Sequence, residues 1–165
     1  MRLIAKRKAA TVFIILFFCF AGAVCYFAYR DGGNPGGKVS EEQGKISRVC
    51  VSGKCFAVEL ALTSEDQARG LMYRKSMDAD RGMLFVFAAS GTHKFWMKNT
   101  LIPLDIVWIG QDFKIIHIAE QTPPCSSASC PDYGPEEAAK YVLEVNGGQM
   151  SQIGAKVGDV VAITE

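Results

Sequence analysis

From Ala9 to Tyr29 the chain reads AATVFIILFFCFAGAVCYFAY without a charged residue, and beyond it short apolar stretches alternate with polar ones. The first pattern has the length of a membrane helix, since about 20 apolar residues cross the hydrocarbon of a bilayer. The second has the period of strands. Ile46–Val51 and Phe56–Leu62 flank a turn at Ser52-Gly53, with Phe56, Val58, Leu60 and Leu62 on one face. Met83–Phe87 is apolar on both faces, as a central strand is, and Lys94–Asn99, Leu104–Ile109, Phe113–Glu120, Tyr141–Val145 and Val157–Ile163 read as further strands. Ser64-Glu65-Asp66-Gln67 matches a capping box and predicts a short helix over 65–72, weakened by Gly70. Pro135-Glu136-Glu137 opens a second helical turn. Many short strands with little helix predict a mainly β fold, a jelly-roll-like sandwich or barrel with one or two short helices.

The flank of the first segment sets its orientation. Arg2, Lys6, Arg7 and Lys8 hold the N-terminus on the cytoplasmic side, which places the rest of the chain outside the cytoplasm. Ala21-Gly22-Ala23 offers a signal-peptidase site, and cleavage near Ala23 would leave a secreted or periplasmic domain. The apolar run continues to Tyr29, longer than a signal core, so an uncleaved anchor in the cytoplasmic membrane is the preferred reading. Residues 1–29 are then the membrane anchor or signal segment, 30–44 a glycine-rich linker, and 45–165 one exported domain. Of the 18 Lys and Arg, five lie at or before Arg30, and all 17 Asp and Glu follow it. Residues 31–165 therefore carry 13 basic against 17 acidic side chains, a net −4. Nucleic-acid binding loses its electrostatic footing.

Cys50 and Cys55, and again Cys125 and Cys130, enclose gaps of the same length. In an exported chain such pairs oxidise to disulfides, with zinc binding as the alternative. Local pairing would clip a hairpin mouth and a proline-flanked loop, and neither gap is the Cys-x-x-Cys of redox enzymes.

Four motifs carry a resemblance. Arg69-Gly70-Leu71-Met72-x-Arg74, Gly82-Met83-Leu84-Phe85-x-Phe87, Phe95-Trp96-Met97-x-Asn99-Thr100-x-x-Pro103-Leu104-Asp105-Ile106, and Tyr141-Val142-Leu143-Glu144-Val145 with Gly158-Asp159 resemble the prokaryotic family named domain of unknown function 192. The likeness runs from about Val58 to Ile163 and implies a compact jelly-roll-like β domain. It implies no activity.

Function must be read from the residues. Alternation puts Asp105 on the face of Val107 and Ile109, where an unpaired carboxyl is costly, and Arg69 and Arg74 are its expected partners. One outcome is a buried structural pair; the other is a concavity in which Arg69, Arg74, Trp96, Asn99 and Asp105 bind a small polar ligand, with Trp96 as a stacking face. Trp96 shares its parity with Lys94 and Lys98, which puts it on the solvated face. The resulting reading is a membrane-tethered or secreted cell-envelope module that binds a small polar ligand or envelope component, more a binding or structural domain than an enzyme. The alternative is an envelope enzyme acting on a polysaccharide or peptidoglycan-like substrate, for which Asp105, His117 and Glu120 would have to converge. A lesser alternative is copper held by Met72, Met77, Met83, Met97 and Met150 with His93. These methionines are not concentrated in a motif, so no metal or cofactor is expected. His93 reads as solvated and His117 as a core histidine.

Overall fold

The computed structural model describes residues 47–164, and the segments expected to anchor and link the domain lie outside the described residues. Strands β1 (Ser47–Val51), β2 (Lys54–Ala61), β3 (Arg81–Gly91), β4 (Phe95–Trp96), β5 (Leu104–Ile109), β6 (Ile115–Thr122), β7 (Asp132–Tyr133), β8 (Ala139–Asn146) and β9 (Val161–Thr164) alternate with helices α1 (Ser64–Arg69) and α2 (Gln149–Ile153). Seven strands form one sheet in the order β6-β5-β8-β3-β2-β1-β9, and β4 pairs with β7 as a separate ribbon. The sheet curls into a half-barrel instead of splitting into the two facing sheets of a jelly roll. Its edge strands meet at one end, where the Ile115 N–H donates to Asp159 (2.9 Å) and the Val161 N–H to Phe113 (2.8 Å). The pair β2/β3 is parallel, because the chain between them crosses over through α1.

The curl encloses one core and carries another on its outer surface. Val49, Phe56, Val58, Leu84, Val107 and Leu143 pack inside with Met150 of α2. Leu71, Phe85, Met97, Ile106, Trp108 and Val142 pack outside, beneath α1 and the β4/β7 ribbon. All six residues of β5 are buried, as expected of a strand covered on both faces.

Local chemistry sets the element ends. Ser52 (φ 47) and Gly53 (φ 81) both lie in the left-handed region, the two-residue turn that matches strand twist in a hairpin. This register puts Cys50 opposite Cys55, and they are joined by a disulfide. Helix α1 is capped one residue earlier than its sequence predicts: the Thr63 hydroxyl accepts from the Asp66 N–H (3.1 Å) and donates to the Asp66 side chain (2.9 Å). Gly70 ends the helix at φ 47 and ψ −134, a conformation only glycine adopts readily. Pro135-Glu136-Glu137 forms no helix. Instead α2 follows the Gly147-Gly148 turn, where sequence pattern predicts only a bend.

Asp105 explains α2. It is fully buried on the inner face, and its carboxyl accepts the N–H of Gln121 (2.7 Å), Gly148 (2.8 Å) and Met150 (2.7 Å). Gly148 at the N-cap has no side chain to cap the helix, and Asp105 supplies that group from across the sheet. The expected pairing of Asp105 with Arg69 or Arg74 is corrected: Arg69 bonds Asp66 (2.7 Å) and Arg74 bonds Glu59. Backbone N–H groups satisfy the carboxyl that sequence reading assigned to a cation. Asp105→Ala would strand one buried and two part-buried donors and is expected to cost roughly 3 kcal/mol. Urea denaturation of Asp105→Ala combined with Arg69→Ala or Arg74→Ala should give additive losses, since no contact is shared.

Candidate functional site

The outer face opens into a groove of about 420 Å³ bounded by Gln67, Phe85, Phe87, His93, Phe95 and Trp96. A narrower recess of about 30 Å³ adjoins it, sharing Gln67, Phe85, Phe95 and Trp96 and reaching Arg69, Gly70 and Glu144. The recess has room for one small polar group, the groove for a larger apolar body.

Each wall is tied down. Gln67 fastens α1 to the sheet by donating from Nε2 to the Val86 carbonyl (3.0 Å). The loop carrying His93 is held from below, where the Trp108 indole N–H donates to the His93 carbonyl (2.7 Å), and from the side, where Lys94 Nζ donates to the Gly134 carbonyl (2.9 Å) and pairs with Glu136 (2.7 Å). Phe95 makes edge contacts with Phe85 (4.8 Å) and Trp108 (5.8 Å), which turns its neighbour Trp96 outward. Trp96 is 47% exposed and carries the Lys98 ammonium 5.1 Å above its ring. The Cys125–Cys130 disulfide closes the loop behind this ribbon. The Cys125 backbone donates to Met97 (3.2 Å) and accepts from Asn99 (2.9 Å).

Glu144 sits in the recess wall, 4% exposed, and its Oε2 has no hydrogen-bond partner among the described residues. It projects from β8 on the outer face, opposite Met83 of β3 and Ile106 of β5. Desolvation pushes its pKa up to about 8, against the opposing pull of the Arg74 guanidinium. That pull loses because Arg74 is committed to Glu59, whose own carboxyl it holds below the usual range. Glu144 is therefore an uncharged acid at neutral pH. His93 stacks on Phe87 with ring centroids 3.5 Å apart, and its Nε2 is buried with no partner among the described residues. Burial lowers its pKa against the backbone of Ala89, so the imidazole stays neutral.

The expected site residues divide. Arg69 and Trp96 meet at the recess, and Arg74 acts on it through its charge. Asn99 does not line the groove but adjoins the recess wall, its amide 4.0 Å from the Met72 sulfur, and lies in the left-handed region (φ 57), where its carbonyl accepts the Tyr73 N–H (2.8 Å). Asp105 lies on the opposite face of the sheet. Sequence reading missed Glu144, although the rule applied to Asp105, a lone carboxylate among strand apolars, fits Tyr141–Val145 equally well. His93 is half-buried against Phe87 instead of solvated, a tertiary contact with no local signal.

The raised Glu144 pKa makes stability pH-dependent. Between pH 4.5, where the unfolded glutamate titrates, and about 8, the folded protein keeps a proton that the unfolded chain has released. This group should therefore reduce stability as pH rises, by about 1.4 kcal/mol per unit, with the loss levelling off above its folded pKa. Urea denaturation at both ends of that window should show the slope in the wild type and a flatter one in Glu144→Gln.

Comparison with known proteins places this geometry among relatives. A crystal structure of a protein of unknown function from Novosphingobium aromaticivorans DSM 12444 superposes with a TM-score of 0.64 at 37% identity, covering 71% of this chain and 83% of that one. A second, from Sinorhizobium meliloti 1021 and described as a candidate transcription regulator, gives 0.62 at 38% identity over 70% and 90%. No curated protein matches the chain. The sequence profile of domain of unknown function 192, described as uncharacterized ACR, matches residues 47–163, and the chain belongs to that family.

Proposed function

We propose that the domain is a binding module of the cell envelope whose Trp96-edged groove takes a small amphipathic ligand or envelope component. Residues 9–29 would anchor it outside the cytoplasm, or release it after cleavage near Ala23. The observation that carries the reading is the buried oxygen of Glu144, partnerless among the described residues, in a recess beside an open aromatic groove. Leaving a buried polar atom unpaired costs about 1–3 kcal/mol, and a ligand that reaches it recovers that cost. Phe87, Phe95 and Trp96 offer the apolar and stacking surface that orients such a ligand.

Binding is better supported than an enzyme. A polysaccharide-cleaving site would need Asp105, His117 and Glu120 together. Asp105 is sealed on the inner face, His117 packs against Trp108 on the outer face (5.3 Å), and Glu120 is exposed. Copper gains no support either, because Met150 lies inside the curl while Met83 and Met97 lie outside it. The net −4 of residues 31–165 argues against nucleic acid as a partner. The compartment rests on the basic flank before Ala9 and on the two disulfides, which persist in oxidising surroundings.

Two outcomes test the reading. Thermal-shift screening of residues 45–165 against aromatic acids, sugars and peptidoglycan fragments should yield a ligand whose affinity drops roughly tenfold in Trp96→Ala. Binding unaffected by Trp96→Ala would move the site elsewhere. In cells, protease added outside the cytoplasmic membrane should degrade the domain, and complete protection in spheroplasts would refute the export reading.

A further inference from the structure

We infer that the site takes a small organic anion bound head-first: a ligand carboxylate enters the recess and accepts a hydrogen bond from the Glu144 carboxylic acid, while the apolar body lies along Phe87, Phe95 and Trp96. This deepens the binding reading above and rests on it.

Size is the first argument. The recess admits one small polar group and the groove a body of aromatic dimensions, so the pair fits a ligand with a compact head and a flat apolar tail. Access is the second. Gly70 borders the recess, and a Cβ there would come within 3.2 Å of the Phe85 ring and 3.8 Å of Glu144 Oε2. The bare backbone at Gly70 keeps the space beside the acid clear. Charge is the third. Among the described lining residues Arg69 and Lys94 are cationic, each paired with a carboxylate beyond the lining (Asp66 and Glu136), and the one lining carboxyl, Glu144, is held neutral by burial. An acid kept protonated in an apolar wall acts as a hydrogen-bond donor, and an anionic acceptor is the partner that strengthens such a bond most.

Among the described residues, the other titratable groups lining the recess and groove are Arg69, Lys94 and His93, and burial keeps the His93 imidazole neutral. Arg74 acts on it through its charge and is bonded to Glu59 of β2, while Arg69 stands at the end of α1. Its cross-strand neighbours Met83 and Ile106, and Trp96 and Thr100 in the recess wall, do not titrate. Loss of the Glu144 proton would turn a donor into a repelling anion, so the ligand leaves as pH rises through that titration.

Isothermal titration of the domain with naphthalene-2-carboxylate and its neutral amide tests this, because the carboxylate keeps one charge throughout the range. The expected result is binding of the carboxylate that weakens at least tenfold from about pH 6.5 to about pH 9.5 in the wild type. In Glu144→Gln, whose amide still donates, binding should persist with little pH dependence. In Glu144→Leu it should be lost at both pH values, with a thermal melt confirming the fold. Equal pH dependence in wild type and Glu144→Gln would overturn the inference while leaving the groove as a binding site. Preference for the neutral amide would overturn it as well. Failure of both probes to bind at either pH would overturn the groove reading and the inference with it.

Discussion

Strand β5 and the stretches Gly82–Phe85 of β3 and Val142–Val145 of β8 are buried on both faces, and the rest of the domain is a way of covering them. A sheet this apolar cannot leave a face in water. Curling buries one face against the sheet's own edge strands and α2. Among the described residues the other face meets only short pieces: six residues of α1, the loop to Met72, and the two-stranded ribbon of two residues per strand. Such a cover leaves gaps, and the groove and recess lie where α1 and the ribbon fail to meet.

The two buried carboxyls illustrate how differently one side-chain type is used on the two faces. Asp105 is surrounded by backbone donors and binds α2 to the sheet, a structural role in which both carboxyl oxygens accept hydrogen bonds. Glu144 stands among apolar side chains, beside a guanidinium already held by Glu59, and escapes the cost of burial by keeping its proton. The first cements the inner core. The second leaves a donor facing a space that other molecules can fill.

The disulfides follow the same division. Cys50–Cys55 fastens a hairpin whose register the turn already determines. Cys125–Cys130 closes a loop of exposed residues, and Cys125 holds the strand segment that carries Trp96 through two backbone hydrogen bonds. A crosslink that limits the unfolded chain also steadies one wall of the groove.

What the chain's pattern determined alone was local. Alternation placed most strands of the main sheet, two equal cysteine gaps marked loops that local disulfides could clip, and four motifs identified the family, because period, turn chemistry and spacing act over a few residues. The curl, the parallel β2/β3 pair and α2 were not legible, since they depend on contacts between distant segments. The same limit applied to the site. Asp105 was rightly read as a buried carboxyl needing partners, but only the tertiary structure could replace the expected arginines with the N–H groups of Gln121, Gly148 and Met150. Glu144 and His93 meet the groove because β8, α1 and the loop before β4 converge there, and their protonation follows from a burial that no local pattern encodes.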